Sequence, residues 1–260
     1  MYAPGRTCRV GRARASRSGG IVLQILKRYF CSLFATAALA AMAAPAFEDS
    51  MAQRVMACTA CHGPSGRAGP DGYYPRLAGK PAGYLYNQLL NFHEGRRRYG
   101  LMAGLLDPLS NAYMMEIAEH FASLDVPYPP PSPSRAPAAV LERGRQLAVD
   151  GDAATKVPAC VSCHGPALTG VLPAAPGLLG LPRDYINAQL GAWRGGQRRA
   201  HEPDCMGPIA RQLTPGDVTA VAAWLASQPL PAHAKPAAAQ ARTSTVQCGT
   251  APLPAGGPRP

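Results

Sequence analysis

Apolar residues recur at helical spacing in several segments, and no segment shows the alternation expected of a strand. Between Tyr84 and Phe92 the apolar and aromatic positions fall on one stripe of a helix. Pro81 precedes this segment and Pro182 precedes a similar one, where the fixed φ of proline suits a first helical turn. These segments predict one long helix in each half of the chain.

Further helices are indicated by capping residues. Thr214 is followed by a proline and by Asp217, a combination typical of a helix start, and Ser110 takes the same place in the first half. Shorter helices are expected at about 50–57 and 139–148. The pattern as a whole predicts an all-α protein.

The two halves are similar because the sequence is repeated. The motif Cys-x-x-Cys-His-Gly-Pro occurs at 58–64 and again at 160–166. Later positions recur 101 residues apart, including Pro75 and Pro176, Tyr84 and Tyr185, and Arg97 and Arg198. The offset between the copies changes little along the chain, which predicts two copies of one fold with small loop insertions.

Composition divides the chain into five parts. We predict a signal peptide at 1–46, a first domain at 47–126 and a second domain at 138–229. The proline-rich segment 127–137 between them favours an extended, semi-rigid linker. Residues 230–260 are rich in Ala and Pro, a composition that predicts a disordered tail.

The formal charge of +11 is concentrated at the start of the chain. Seven of the 26 basic residues precede the first acidic residue, Glu48, so the rest is nearly neutral and a nucleic-acid partner is excluded. The basic segment leads into an apolar run at 29–43 and then small residues, the order of a secretory signal cleaved before Phe47. The run is shorter than the ~20 residues that span a bilayer. We therefore predict a periplasmic protein with no transmembrane segment in the mature chain.

Each Cys-x-x-Cys-His motif has the spacing of a covalent haem site. Its two thiols can bond the vinyl groups of one porphyrin, and the histidine then serves as an axial iron ligand. A zinc site would need a fourth ligand at matching positions, a redox-active dithiol would need a surrounding sheet, and a plain disulfide is the remaining alternative. The sequence predicts two covalently bound haem c groups. The attachment residues are Cys58, Cys61, Cys160 and Cys163, and the axial histidines are His62 and His164.

The repeat also selects the second axial ligand of each iron. Met102 and Met206 lie 104 residues apart, and each is followed seven residues later by Leu and a hydroxyl cap. Met114 and Met115 lie inside a predicted helix and are interpreted as core residues. His201 remains a possible alternative to Met206 as the iron ligand. With His and Met on each iron no open site remains, which favours electron transfer and not an enzyme.

These features resemble the class I cytochromes c, in which the carbonyl of a proline placed like Pro75 and Pro176 accepts the histidine N–H. More specifically, the two haem motifs, Pro-x-Leu-x-Gly, Gly-x-Arg-Arg and the late methionine are similar to the dihaem cytochrome c4 family. The resemblance implies two tandem class I cytochrome c domains in a monomeric periplasmic shuttle. Its redox partners would be a quinol-oxidising complex or a dehydrogenase and a terminal oxidase.

The recurring arginines have two interpretations. Arg97 and Arg198 either pair with haem propionates or an acidic partner, or lie on solvated turns. Tyr84 and Tyr185 are expected to pack and to contact the propionates.

Two cysteines outside the motifs leave alternatives open. Cys205 and Cys248 either form a disulfide, which we favour in an oxidising compartment, or remain free thiols. A Cys205 ligand in place of Met206 would point to an enzyme such as a dihaem thiosulfate dehydrogenase. A third possibility is the cytochrome subunit of a membrane dehydrogenase. The sequence leaves open whether the two domains touch.

Overall fold

A computed structural model of the protein describes residues 49–69, 72–131, 133–239 and 246–254. The predicted signal peptide lies outside the described residues. Both predicted domains belong to one compact unit that begins at Ser50. Within the described residues, no helix is long and apolar enough to cross a membrane.

The first domain consists of helices around a small apolar core. The predicted first helix is interrupted at Val55, and its second part extends to the histidine of the haem motif. Ser110 caps the last helix through its side chain, which accepts from the Tyr113 N–H, as predicted. The helices are α1 Met51–Arg54, α2 Met56–His62, α3 Ala82–His93, α4 Gly100–Leu106 and α5 Asn111–Ser123.

The second domain repeats this order with a longer first helix. The predicted helix start at Thr214 is present, and it forms a capping box, because Thr214 and Asp217 each bond the other's backbone N–H. The helices are α6 Ala138–Val149, α7 Val161–His164, α8 Arg183–Arg194, α9 Met206–Gln212 and α10 Pro215–Ser227. The all-α prediction is therefore confirmed.

One pair of short strands was not predicted. Strands β1 Gly170–Val171 and β2 Ala175–Pro176 pair antiparallel, with Gly170 opposite Pro176. Strands of two residues are too short to produce a period-2 pattern, so the sequence carried no signal for them.

Close helix packing holds the second domain together. Helix α10 crosses α6 at Gly144, where an added Cβ would lie 2.2 Å from the Ala220 carbonyl oxygen. Glycine is therefore required at this crossing. In the first domain α3 packs against α4 and α5 around the fully buried Tyr86 and Phe121.

The two domains pack directly against each other. Gly83 of α3 approaches the backbone of Pro173, and the start of the linker is held between the domains. Arg76 donates to the carbonyls of Val126 and Pro127, and its guanidinium lies 3.8 Å from the centre of the Tyr128 ring. The linker is thus anchored at its start by a buried arginine and does not act as a free spacer there.

Described parts of the tail also make specific contacts, in contrast to the expected disorder. Ala237 pairs with Val171 beside the short strands, and Cys248 forms a disulfide with Cys205. Ala251 is buried with the core residues of the first domain. A covalent link and backbone pairing hold these described parts, although the segment has few large apolar residues.

Candidate functional site

The haem motifs occupy equivalent positions in the two domains. Cys58, Cys61 and His62 lie on α2, and Cys160, Cys163 and His164 lie at or within α7. One helical turn therefore presents both thiols and the following histidine to the same space. No disulfide joins the two cysteines of either motif, so the plain disulfide is excluded.

The motif thiols are poorly suited to redox or zinc chemistry. Burial raises the pKa of Cys58, and burial raises the pKa of Cys160 to about 11. A reactive dithiol needs a lowered pKa instead. No cluster of three or more His, Cys, Asp or Glu side chains that could hold a metal ion occurs in the part of the chain that the structure describes.

Each motif histidine is fixed by a proline carbonyl. The Nδ1 atoms of His62 and His164 lie 2.7 Å from the carbonyl oxygens of Pro75 and Pro176. Burial lowers the pKa of both rings, which favours the neutral form that binds metals. With Nδ1–H donated to a carbonyl, Nε2 is left as the ligating atom.

The two repeated methionines line the same cavity as these histidines. Met102 lies on α4, Met206 is the first residue of α9, and the cavity has a volume of about 1280 Å³. This exceeds the ~300–1,000 Å³ of a typical single-ligand pocket, and the lining comes from both domains. Met114 and Met115 are buried in the first core, as interpreted from the sequence.

The rival axial ligands are otherwise engaged. His201 Nε2 lies 2.8 Å from Arg96 Nη2, and because a guanidinium can only donate, the lone pair of that nitrogen is taken. Cys205 is joined to Cys248, so it has no thiolate to offer an iron. The disulfide therefore argues against the cysteine-ligated haem that was considered from the sequence.

The Gly-x-Arg-Arg segments meet at the domain interface. Arg97 and Arg198 form an antiparallel bridge, and backbone bonds join Arg98 N to Gln197 O at 3.0 Å and Arg199 N to Arg96 O at 2.8 Å. Arg98 and Arg199 are exposed, whereas Arg198 is only 4% exposed. The solvated-turn interpretation therefore does not fit Arg198.

Six side chains form a symmetric central cluster between the domains. Arg97 donates to Gln189 Oε1 at 2.7 Å, and Arg198 donates to Gln88 Oε1 at 2.9 Å. Each guanidinium also bonds the glutamine of its own domain and the tyrosine of the other. The central cluster is Tyr84, Gln88, Arg97, Tyr185, Gln189 and Arg198.

The cavity is lined by cations, three of them buried and one half-buried, that lack anionic partners. Arg76, Lys80, Arg97 and Arg198 all line it, and none has a carboxylate within ion-pair distance among the described residues. Trp193 Nε1 is buried and likewise has no hydrogen-bond partner there. Unpaired buried charge is costly, so the arginines and Trp193 fit a cofactor that brings its own carboxylates, as the haem propionates would.

Sequence reasoning did not single out Arg76 and Lys80. Both follow Pro75 closely, but the equivalent positions in the second domain are Gly177 and Leu181. A search for repeated residues passes over them for this reason. The sequence did contain one signal: these two cations occur where the second domain has uncharged residues.

Comparison with known proteins identifies a matching family and a similar protein. The family model for cytochrome c matches residues 51–124 and 141–229. A thiosulfate dehydrogenase electron acceptor from Thiomonas intermedia is 40% identical over 200 residues, covering 76% of this chain and 91% of that protein.

Two solved structures are also similar. Reduced recombinant cytochrome c4 from Pseudomonas stutzeri has a TM-score of 0.58 and 31% identity, covering 68% of this chain and 95% of that one. A thiosulfate dehydrogenase from Marichromatium purpuratum has a TM-score of 0.58 and 34% identity over 66% of this chain. This chain spans only 36% of that protein's length.

Proposed function

The chain belongs to the cytochrome c family, and from this we propose that it accepts electrons from a thiosulfate-oxidising enzyme outside the cytoplasm and passes them singly to a membrane oxidase or another acceptor. As a dihaem protein similar to cytochrome c4, it carries two covalently bound haem c groups and transfers electrons. Bound haem supplies the one-electron chemistry of its iron.

The observation that carries the proposal is that His62, Met102, His164 and Met206 all line one cavity. If both axial positions of each iron are taken by these side chains, no position is open to a substrate. A carrier is then favoured over an enzyme, and the disulfide at Cys205 further disfavours a cysteine-ligated centre.

The donor is proposed from the relatives. The Thiomonas intermedia protein is described as the electron acceptor of thiosulfate dehydrogenase, and it is matched over 91% of its length. The Marichromatium purpuratum enzyme is matched over only 36%, so the activity of that whole protein is not assigned to this chain. We therefore propose a role as the acceptor, in place of the dehydrogenase considered from the sequence.

The location outside the cytoplasm rests on two observations. Residues 1–46 have the order of a secretory signal, and a disulfide between Cys205 and Cys248 is typical of an oxidising compartment. Covalent haem attachment through Cys-x-x-Cys-His agrees with that location.

The experiment is a reduction assay with purified, haem-loaded protein. We expect both haems to be reduced when thiosulfate and a thiosulfate dehydrogenase are added together, and neither component alone to reduce them. Reduction by thiosulfate without the enzyme would identify this chain as the dehydrogenase. Reduction by a quinol-oxidising complex but not by the thiosulfate enzyme would replace the proposed donor.

A further inference from the structure

A lysine of the first domain is buried against the second. Lys80 lies in the loop that leads to α3 and is 4% exposed. Its Nζ donates to the carbonyl oxygen of Gly177 at 2.9 Å. Complete burial of a lysine is uncommon and requires a reason.

The burial of Lys80 is not compensated by a carboxylate. No Asp or Glu of the described residues forms an ion pair with it, and the charge that acts on it is that of another cation, Arg76. Burial first, and then the charge of Arg76, lowers the pKa of Lys80 to about 8. The ammonium group is therefore still mostly protonated at neutral pH.

The position of Lys80 connects it to the histidine of the other domain. Gly177 directly follows Pro176, whose carbonyl accepts the Nδ1–H of His164. The Lys80 and His164 side chains thus contact the carbonyls of two adjacent residues. The ammonium group of the first domain therefore lies close to the histidine that would hold the second haem.

This cation has no counterpart in the other half of the repeat. The equivalent position is Leu181, which is apolar. By contrast, Arg97 in the first copy has a counterpart in the second, Arg198, and both lie between the domains. This position of the repeat therefore places a positive charge near one haem site and not near the other.

We propose that Lys80, a residue of the first domain, is a positioning residue that raises the reduction potential of the haem held by the second. A fixed positive charge near iron favours the ferrous over the ferric form, because the ferric form carries one more positive charge. Electrons that enter at either haem are then biased toward the second domain. This inference rests on the proposed function only in that both haems must be redox-active.

The size of the effect can be bounded. At an effective dielectric constant of ~20, a unit charge on the order of 10 Å away changes a one-electron equilibrium by about tenfold. A tenfold change in that equilibrium corresponds to ~59 mV. Such a difference is large enough to order two otherwise similar centres.

The test is a redox titration of the haem-loaded protein and of its Lys80→Gln variant. Glutamine keeps a donor for the Gly177 carbonyl but removes the charge. We expect the potential of the second haem to fall by ~59 mV, which corresponds to a tenfold change in the one-electron equilibrium. The potential of the first haem should shift much less. The paramagnetic NMR signals of the axial methionine methyl groups assign each potential to its domain.

Two further variants separate charge from structure. Lys80→Arg keeps the charge and is expected to keep the potential. Leu181→Lys places a cation at the equivalent position and is expected to raise the potential of the first haem. If Lys80→Gln does not incorporate both haems, these two variants carry the test alone: an unchanged first potential in Leu181→Lys would then overturn the inference.

A purely structural role predicts a different result. Lys80→Gln would then lower the melting temperature and leave both potentials unchanged, and the inference would be wrong. Failure of thiosulfate dehydrogenase to reduce the protein, with a normal response of the potentials to Lys80→Gln, would reject only the proposed donor.

Discussion

At the scale of single residues, the lysine and arginine side chains that line the cavity far outnumber its one acidic residue, Asp184. The guanidinium groups of Arg97 and Arg198 lie over aromatic rings, 4.4 Å from the centre of Phe92 and 3.7 Å from that of Trp193. Burial lowers the pKa of Arg198, the more enclosed of the two. Stacking on the rings holds these cations in place in a setting that would otherwise repel them.

Replacing either repeated methionine tests the axial assignment. Met102→Ala is expected to lower the potential of the first haem alone, and Met206→Ala that of the second, because a thioether opposite histidine favours ferrous iron. We expect at least a tenfold change in the one-electron equilibrium, ~59 mV, measured by redox titration.

The matched control is Met114→Ala. Met114 is fully buried in the first core, so this variant should lower stability, by about 2–5 kcal/mol, without moving either potential. A normal potential in Met102→Ala would reject Met102 as a ligand.

The sequence allowed us to predict the site residues that are repeated in both halves. It did not allow us to predict a residue that occurs in one half only. Cys58, His62 and Met102 have copies, so the sequence could select them from among many cysteines, histidines and methionines. Lys80 has no copy, and its importance depends on which carbonyl of the other domain it reaches. That contact is a property of domain packing, which the sequence left open.

At the scale of elements, helix α10 supports the second domain. It crosses α6 at Gly144, and its N-terminus is closed by the Thr214–Asp217 capping box. Arg143 of α6 donates to Asp217 Oδ1 at 2.7 Å, so the cap also joins the two helices. The cap itself was predictable from local sequence, but the link to Arg143 was not, because it joins residues far apart in the chain.

Substitution at the helix crossing should be costly. In Gly144→Ala the new Cβ would overlap the Ala220 carbonyl, so α6 and α10 must separate, at an expected cost of about 1–3 kcal/mol. The control is Gly191→Ala on α8, where no neighbour lies within 4 Å and alanine should be neutral or slightly stabilising. Thermal unfolding of both variants checks the prediction, which an equal melting temperature would contradict.

The cap should make stability dependent on pH. Burial alone would raise the pKa of Asp217, but hydrogen bonds from Arg143 and Thr214 outweigh it and hold the pKa below its usual value. Since the folded-state pKa is lowered, the stabilisation is present above the unfolded pKa of ~3.9 and is lost as pH falls through the folded value.

Asp217→Asn is therefore expected to unfold at a lower temperature than the wild-type protein at pH 7, with a difference that shrinks below about pH 4. The matched control is Asp184→Asn, since Asp184 is exposed in the first turn of α8. A difference between wild type and Asp217→Asn that stays constant with pH would contradict the assignment.

At the scale of the whole molecule, the tail joins the two domains. From the disulfide at Cys205, residues 248–251 reach the first domain, where the Asn87 side chain accepts from the Ala251 N–H at 2.8 Å and donates to Thr250 Oγ1 at 3.0 Å. The same disulfide immediately precedes Met206. The tail thus connects the loop before Met206, the proposed iron ligand of one domain, to the core of the other.

Removing the disulfide should loosen this connection. The double variant Cys205→Ser, Cys248→Ser is expected to lose about 2–4 kcal/mol of stability. Hydrogen exchange should rise at residues 246–254 and at α3, while haem content stays at two. Asn87→Ala is the control, because it removes only the contact with the first domain and should raise exchange without that full loss of stability. Unchanged exchange in the double variant would show that the tail is held by other contacts.

The symmetric central cluster has a consequence for association between molecules. Each arginine meets the glutamine and tyrosine of the opposite copy, which is the geometry of a twofold homodimer interface. Here the two halves of that interface are covalently joined, so each surface finds its complement within its own polypeptide at every dilution. The pairing of the two redox centres therefore does not depend on protein concentration.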